Sequence, residues 1–67
     1  MKLHNRLKEV RVERGLTQEA LAKEAGVTRQ TIIAIEKEKF VPSVKLALEL
    51  AATLRISLDS IFWLNNQ

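Results

Sequence analysis

Two short stretches, each opened by a threonine and separated by a glycine, constrain the fold of this 67-residue chain more than any other feature. Thr17 precedes the first stretch and Thr28 the second, and a threonine hydroxyl there can accept a backbone N–H of the first helical turn. Gly26 lies between them, and glycine readily takes the left-handed conformation with which many helices end. The order of cap, helix, glycine, cap and helix predicts two short helices joined by a tight turn over residues 17–37.

The segment before this pair has the apolar spacing of a helix. Leu3, Leu7 and Val10 recur at intervals of four and three residues, which places them on one helical face. Gly15 follows, and its conformational freedom suits the end of a helix. A first helix that ends at Gly15 is therefore predicted.

Two further helices are predicted after the pair. Ser43 caps the segment VKLALELAATL, which is apolar on most of its circumference and is expected at the centre of the core. Ser57 precedes a short fifth helix, LDSIFW. A short pairing of the chain ends around Leu3 and Leu64 stays open as an alternative for those residues. The prediction is one all-α domain over residues 1–67, built from five short helices.

The composition excludes several kinds of site. There is no cysteine and His4 is the only histidine, so we expect no disulfide, no zinc or other metal site and no cofactor. No apolar run approaches the roughly 20 residues that span a membrane. The first residues also lack the apolar centre of a secretory signal. A cytoplasmic protein with no membrane partner and no small-molecule ligand is expected.

Charge and motif content favour a binding protein over an enzyme. Eleven basic residues against eight acidic ones give a net charge of +3, which is compatible with a nucleic-acid partner. The sequence contains no nucleophile–base pair, no glycine-rich phosphate loop and no paired carboxylates suited to a cleft. We therefore expect no enzymatic activity.

The second helix of the pair carries side chains suited to reading DNA. Ile32 and Ile35 are predicted to face the core, which leaves positions such as Ile33 on the exposed side. Arg29 can bond O6 and N7 of guanine, and Gln30 can bond N6 and N7 of adenine, when such a helix lies in the major groove. Exposed arginine and glutamine are ordinarily only solvated, so the prediction depends on the whole ordered pattern. The residues that suit DNA contact by type and position are Gln18, Thr28, Arg29, Gln30, Thr31, Ile33, Ala34 and Lys37.

The same pattern resembles a known family. The matching positions are Thr17-Gln18, Leu21-Ala22, Ala25-Gly26-Val27-Thr28, Thr31-Ile32 and Ile35-Glu36, together with Arg11 before Gly15-Leu16, Pro42-Ser43 and Ile61-Phe62. In these residues the chain is similar to the Cro/CI-type (XRE) helix-turn-helix repressors. Its short length and Phe-Trp end resemble the stand-alone homodimeric subgroup of the cytolysin-operon repressor. The resemblance implies a five-helix, lambda-repressor-like DNA-binding domain that binds a palindromic operator as a homodimer.

The resemblance also implies a role for each matched position. The implied contacts are Gln18 and Thr28 to phosphates, Arg29, Gln30 and Ala34 to base edges, and Lys37 and Lys39 to the DNA backbone. Family members often have a longer polar residue at the position of Ala34, so a hydrophobic contact or none is expected there. They commonly have Asn-Gly where this chain has Lys37-Glu38, which leaves the geometry of that loop open.

Arg11 and Glu36 match a pair that family members bridge between the first and third helices. Glu36 follows the inward-facing Ile35, and a partly buried carboxylate needs a partner. The alternative is two independent surface charges. We favour the ion pair and assign it to the geometry of the fold rather than to DNA contact.

The C-terminal end has more large apolar side chains than a short helix can bury. The apolar residues among positions 58–64 are Leu58, Ile61, Phe62, Trp63 and Leu64. If the first three seal the core, Trp63 and Leu64 remain as a surface patch, a usual sign of a partner. The set is predicted to form a homodimer interface, which would place two reading helices about 34 Å apart. The same patch fits an alternative function, an antitoxin-like protein-interaction module with incidental DNA binding.

Overall fold

The computed structural model describes residues 1–65 of the chain. Within them the elements are β1 (Leu3–Asn5), α1 (Leu7–Glu13), α2 (Gln18–Ala25), α3 (Arg29–Glu36), α4 (Val44–Leu54), α5 (Leu58–Ile61) and β2 (Phe62–Leu64). The prediction of five helices is confirmed, and a small sheet is added to them.

β1 and β2 form a two-stranded antiparallel sheet that joins the two ends of the described chain. Leu3 pairs with Leu64, and His4 pairs with Trp63. The alternative that the sequence left open for the chain ends is therefore the one observed. The fold is mostly helical, and its two ends are held together.

The sheet changes two of the predicted helix boundaries. Leu3 lies in β1, so the apolar stripe enters α1 only at Leu7. Asn5 leads into that helix, because its Oδ1 accepts the backbone N–H of Leu7 at 3.0 Å. At the other end α5 stops at Ile61. The prediction that the fifth helix continues through Trp63 is wrong, because pairing with β1 satisfies the backbone groups that a longer helix would use.

The core is built from apolar side chains of all five helices. The large side chains with less than 2% exposure are Leu7, Val10, Leu21, Ile32, Ile35, Leu50, Leu54 and Ile61. α2 packs against both α3 and α4, and α4 also packs against α5. Burying one large apolar side chain contributes about 1.5–3 kcal/mol, so the core behind α3 fixes the orientation of that helix.

α4 is buried on one side only. Leu46, Leu50 and Leu54 face the core, whereas Val44 is 75% exposed and Leu48 is 52% exposed. The prediction that core surrounds α4 is wrong, because α2 and α5 cover one side of it and leave these two residues uncovered. Along residues 1–65, no helix is both long and apolar enough to cross a membrane.

The predicted helix pair is present with its caps and its turn. Thr17 Oγ1 accepts the backbone N–H of Ala20 at 3.0 Å, and Thr28 Oγ1 accepts that of Thr31 at 3.3 Å. Gly26 has a φ of +72°, a left-handed conformation in which a larger residue would be strained. These local features end α2 and begin α3 within a few residues, and so place the start of α3 beside α2.

Candidate nucleic-acid interface

α3 presents the predicted contact residues to solvent. Ile32 and Ile35 are buried, so the helix exposes its other side. The predicted contact residues of α3 are all exposed or half-buried, and they are Arg29, Gln30, Thr31, Ile33 and Ala34. The two residues with the longest polar side chains lie in its first turn, where a helix entering a groove touches base edges.

The N-terminus of α3 suits a negatively charged partner. The first turn of α3 contains no acidic residue, whereas Glu19 lies in the first turn of α2. Free backbone N–H groups and the helix dipole attract anions at such an end. Thr28 caps the helix, and its hydroxyl oxygen lies 3.1 Å from that of Thr31. Arg29 therefore extends from a helix whose own first turn holds no carboxylate.

Arg11 and Glu36 form a buried ion pair behind this face. The Arg11 guanidinium donates through Nε to Glu36 Oε2 at 2.7 Å, and through Nη2 to Glu36 Oε1 at 3.4 Å. A third bond runs from Nη1 to the carbonyl oxygen of Leu16 at 2.9 Å. The two side chains are 9% and 5% exposed. The pair ties α1 to the end of α3 and to the segment just before α2.

Gln18 joins this network, which sequence reasoning missed. Its Nε2 donates to Glu36 Oε1 at 3.2 Å, so the carboxylate holds the amide group in one orientation. The amide nitrogen carries a second hydrogen besides the one that Glu36 accepts. The only signal for this bond in the sequence was the predicted burial of Glu36, because a buried carboxylate usually accepts hydrogen bonds from donors on neighbouring elements.

The starts of α2 and α3 border one shallow pocket. Its volume is about 440 Å³, and it is lined by Arg11, Thr17, Gln18, Glu19 and Arg29. The fold thus brings Gln18 and Arg29, which lie on different helices, to the same depression.

The loop after α3 turns sharply at a non-glycine residue. Lys37 is the C-cap of α3, and Glu38 has a φ of +60°. Lys39 follows, with its backbone N–H bonded to the carbonyl oxygen of Ala34 at 2.9 Å. Both lysine side chains are exposed. The chain therefore keeps a left-handed turn here without the glycine that the family commonly supplies.

The Glu38 side chain is turned toward β1. His4 Nδ1 donates to Glu38 Oε2 at 3.1 Å, and Lys2 Nζ lies 3.5 Å from Oε1. The hydrogen bond from His4 is the main reason that the pKa of Glu38 is below its ordinary value, and Lys2 adds to the effect. Sequence reasoning missed this cluster, because it placed both partners before or within a helix.

The five residues of the predicted C-terminal interface fall into a buried group and an exposed group. Ile61 is fully buried and Phe62 is 8% exposed, so both side chains belong to the core of the single chain. Leu58 is half-buried against that core. Trp63 is 44% exposed and Leu64 54% exposed. The grouping of Ile61 with surface residues is therefore corrected, since its side chain has no exposed area.

α4 and the loop before it add apolar surface that was not predicted. The exposed apolar residues there are Phe40, Val41, Val44 and Leu48. A groove of about 410 Å³ runs between Val44 and the pair formed by Trp63 and Leu64. We call the surface of Val44, Leu48, Trp63 and Leu64 the apolar face.

The comparisons with known proteins agree on one family. A helix-turn-helix family model, HTH_3, matches residues 7–61. The uncharacterized HTH-type transcriptional regulator YgzD of Bacillus subtilis is 42% identical over 65 residues, which cover 97% of this chain and 98% of that protein. The uncharacterized HTH-type transcriptional regulator MJ0272 of Methanocaldococcus jannaschii is 52% identical over 60 residues, 90% of this chain and 91% of that protein.

Solved structures show the same likeness. The restriction-modification controller protein C.AhdI from Aeromonas hydrophila is 34% identical, with a TM-score of 0.78 over 82% of this chain and 80% of that one. A putative DNA-binding protein from Bacteroides fragilis has a TM-score of 0.83 at 26% identity, over 91% of this chain and 98% of that one. The chain therefore belongs to the HTH_3 (XRE-type) helix-turn-helix family of DNA-binding transcriptional regulators.

Proposed function

We propose that this protein is a cytoplasmic transcriptional repressor that binds a palindromic operator as a homodimer, with α3 in the major groove. The observation that carries the proposal is the first turn of α3. There Arg29 and Gln30 are exposed in a first turn that contains no acidic residue, on a helix held by a buried ion pair. Base readout requires a rigid helix whose polar side chains extend into solvent.

Each side chain then has a distinct task. Arg29 bonds guanine and Gln30 bonds adenine, whereas Ile33 and Ala34 offer apolar contact to a thymine methyl group. The remaining predicted contacts serve the phosphates and fix the register of the helix, and they are Gln18, Thr28, Thr31, Lys37 and Lys39. Affinity should depend steeply on salt, because lysines and arginines displace counterions from the phosphates.

The homodimer uses the apolar face. Trp63 and Leu64 remain exposed in the single chain, and Val44 and Leu48 extend the same kind of surface onto α4. A twofold axis through such a surface pairs it with itself and sets two copies of α3 about one turn of DNA apart. The twofold symmetry is the reason to expect a palindromic operator, and the distance between the two helices sets the separation of its half-sites.

Selection of bound duplexes from random DNA tests the proposal. We expect an enriched palindrome, and we expect Arg29→Ala to lose about 1–3 kcal/mol at one base position of each half-site. Lys8→Ala is the matched control, because Lys8 is an exposed basic residue on α1 outside the predicted contact set. Recovery of no common sequence by the wild-type protein would overturn the proposal.

A second candidate is an antitoxin-like protein-interaction module with incidental DNA binding. The breadth of the apolar face supports it, because a partner protein could cover the same exposed residues. Sedimentation separates the two candidates. A wild-type homodimer at micromolar concentration supports the repressor, whereas a monomer that dimerises only with another protein supports the module.

A further inference from the structure

β1 and the residue before it contact the last turn of α3 and the loop after it at three points. Lys2 and His4 contact the carboxylate of Glu38 at 3.5 and 3.1 Å. Asn5 Nδ2 donates to the carbonyl oxygen of Ile35 at 2.9 Å. The C-terminal end of α3 is therefore bonded to the terminal sheet, formed by β1 and β2, rather than left in solvent.

Glu38 is an unusual residue for its position. Its φ of +60° is one that glycine adopts easily and larger residues adopt rarely, and Gly15 and Gly26 fill the comparable turns at +72°. A strained residue persists where the surrounding structure uses it. The feature that glycine lacks is the carboxylate, which His4 and Lys2 bind.

The carboxylate also creates an electrostatic problem for a DNA-binding surface. Glu38 lies between Lys37 and Lys39, the two exposed lysines that are proposed to meet phosphates. A free carboxylate there would repel phosphates and compete with them for the lysine ammonium groups. In the structure the carboxylate is instead turned toward β1 and bound by two donors.

His4 is held in place from the opposite side. Its ring stacks on that of Trp63, with centroids 6.3 Å apart and an interplanar angle of 29°. Its Nε2 lies 3.4 Å from Asn65 Nδ2, which suits the tautomer whose Nδ1–H points at Glu38. The orientation of the Glu38 carboxylate therefore depends on the pairing of β1 with β2.

We propose that His4 is a positioning residue for DNA binding, which holds the Glu38 carboxylate against the terminal sheet and so leaves Lys37 and Lys39 free for phosphates. This inference rests on the proposed function. It adds that an intact terminal sheet is a requirement for phosphate contact at the end of α3. Glycine at position 38 would remove both the carboxylate and the need for His4.

A rescue experiment tests the proposal. His4→Phe keeps a ring to stack on Trp63 but loses the hydrogen bond to Glu38. We expect it to bind the selected duplex about threefold more weakly at low salt, with a salt slope smaller by about one. The double variant His4→Phe/Glu38→Gly should recover the affinity of Glu38→Gly alone, because no carboxylate remains to be positioned.

Two controls make the outcomes distinct. Melting curves show that each variant is folded at the assay temperature. Glu49→Gln removes the same charge from an exposed pair on α4, so it measures the general effect of net charge. The proposal is overturned if His4→Phe binds as the wild type does, or if the double variant stays as weak as His4→Phe. Failure of the wild type itself to bind DNA would instead overturn the proposed function, and this inference with it.

Discussion

The helix pair, α2 and α3, can be compared with the terminal sheet, β1 and β2, and the loop at Glu38 that adjoins it. Both regions contain left-handed turns at helix ends, but different interactions hold those turns. Gly15 and Gly26 provide them around the helix pair, whereas Glu38 and Arg55 provide them in the C-terminal half. The glycine turns follow from local conformational freedom, and beyond the adjoining residues no atom of the described chain lies within 4 Å of where their Cβ would be. The turn at Glu38 is instead held by side chains that reach it from β1.

The largest expected effect comes from the ion pair that supports the helix pair. Glu36→Ala leaves Arg11 buried without its charged partner, which should lower the free energy of unfolding by about 3–5 kcal/mol. Urea denaturation measures the loss. Glu49→Ala, which removes a carboxylate from an exposed ion pair, is the control and should change stability little. A free energy of unfolding that is the same for Glu36→Ala and the wild type would contradict the structural role of the pair.

The turn at Gly26 should show the cost of a side chain in a left-handed position. Gly26→Ala should lower the free energy of unfolding by about 1–2 kcal/mol, because the new Cβ strains the left-handed backbone. No steric clash should add to this loss, since the position of the Cβ is open. Gly26→Asn should lose less, since asparagine tolerates this conformation better. Thermal melts of the two variants give the comparison, and equal stability of Gly26→Ala and the wild type would refute it.

Arg55 offers the reverse substitution. Its φ is +57° at the C-cap of α4, and its side chain is exposed. Arg55→Gly should raise the free energy of unfolding by about 0.5–1 kcal/mol, because relief of the strain exceeds the added entropy of the unfolded chain. The urea midpoint measures the change. A fall in stability would show that the Arg55 side chain contributes more than its exposure indicates.

The smallest effect is the pH dependence of the Glu38 cluster. Because the folded protein holds the pKa of Glu38 below its ordinary value, the carboxylate stabilises the fold at neutral pH. That contribution is lost as the pH falls below the ordinary value of 4.5 and through the folded pKa. The difference in melting temperature between the wild type and Glu38→Gln should therefore be present at about pH 7 and shrink at about pH 3. An equal difference at both pH values would exclude this origin.

The helix pair could be predicted because its signals act over a few residues. Thr17 and Thr28 cap the helices, Gly26 turns the chain, and the spacing of Ile32 and Ile35 identifies the buried side of α3. Local steric and hydrogen-bonding rules are sufficient for such features. The predicted DNA contacts follow from the same spacing, and they remain a prediction.

The contacts around Glu38 and Gln18 could not be predicted, because they depend on elements that are distant in sequence. Glu38 is contacted by His4, 34 residues away in β1, and apolar spacing had assigned Leu3 to a helix. Gln18 meets Glu36 only when α2 and α3 have packed. The exposed side of α4 was missed for a related reason. A helix that is apolar nearly all round does not reveal which side its neighbours will cover.

The pairing of β1 with β2 also has a consequence for the order of events during synthesis. Chains are made from the N-terminus, so residues 17–36 are synthesised before the residues of β2. His4 has no Trp63 to stack on until β2 has been made. A nascent chain can therefore contain the residues of α3 before the sheet that carries His4 has formed. Under the proposed function, the formation of β2 would be the step that leaves Lys37 and Lys39 free for phosphates.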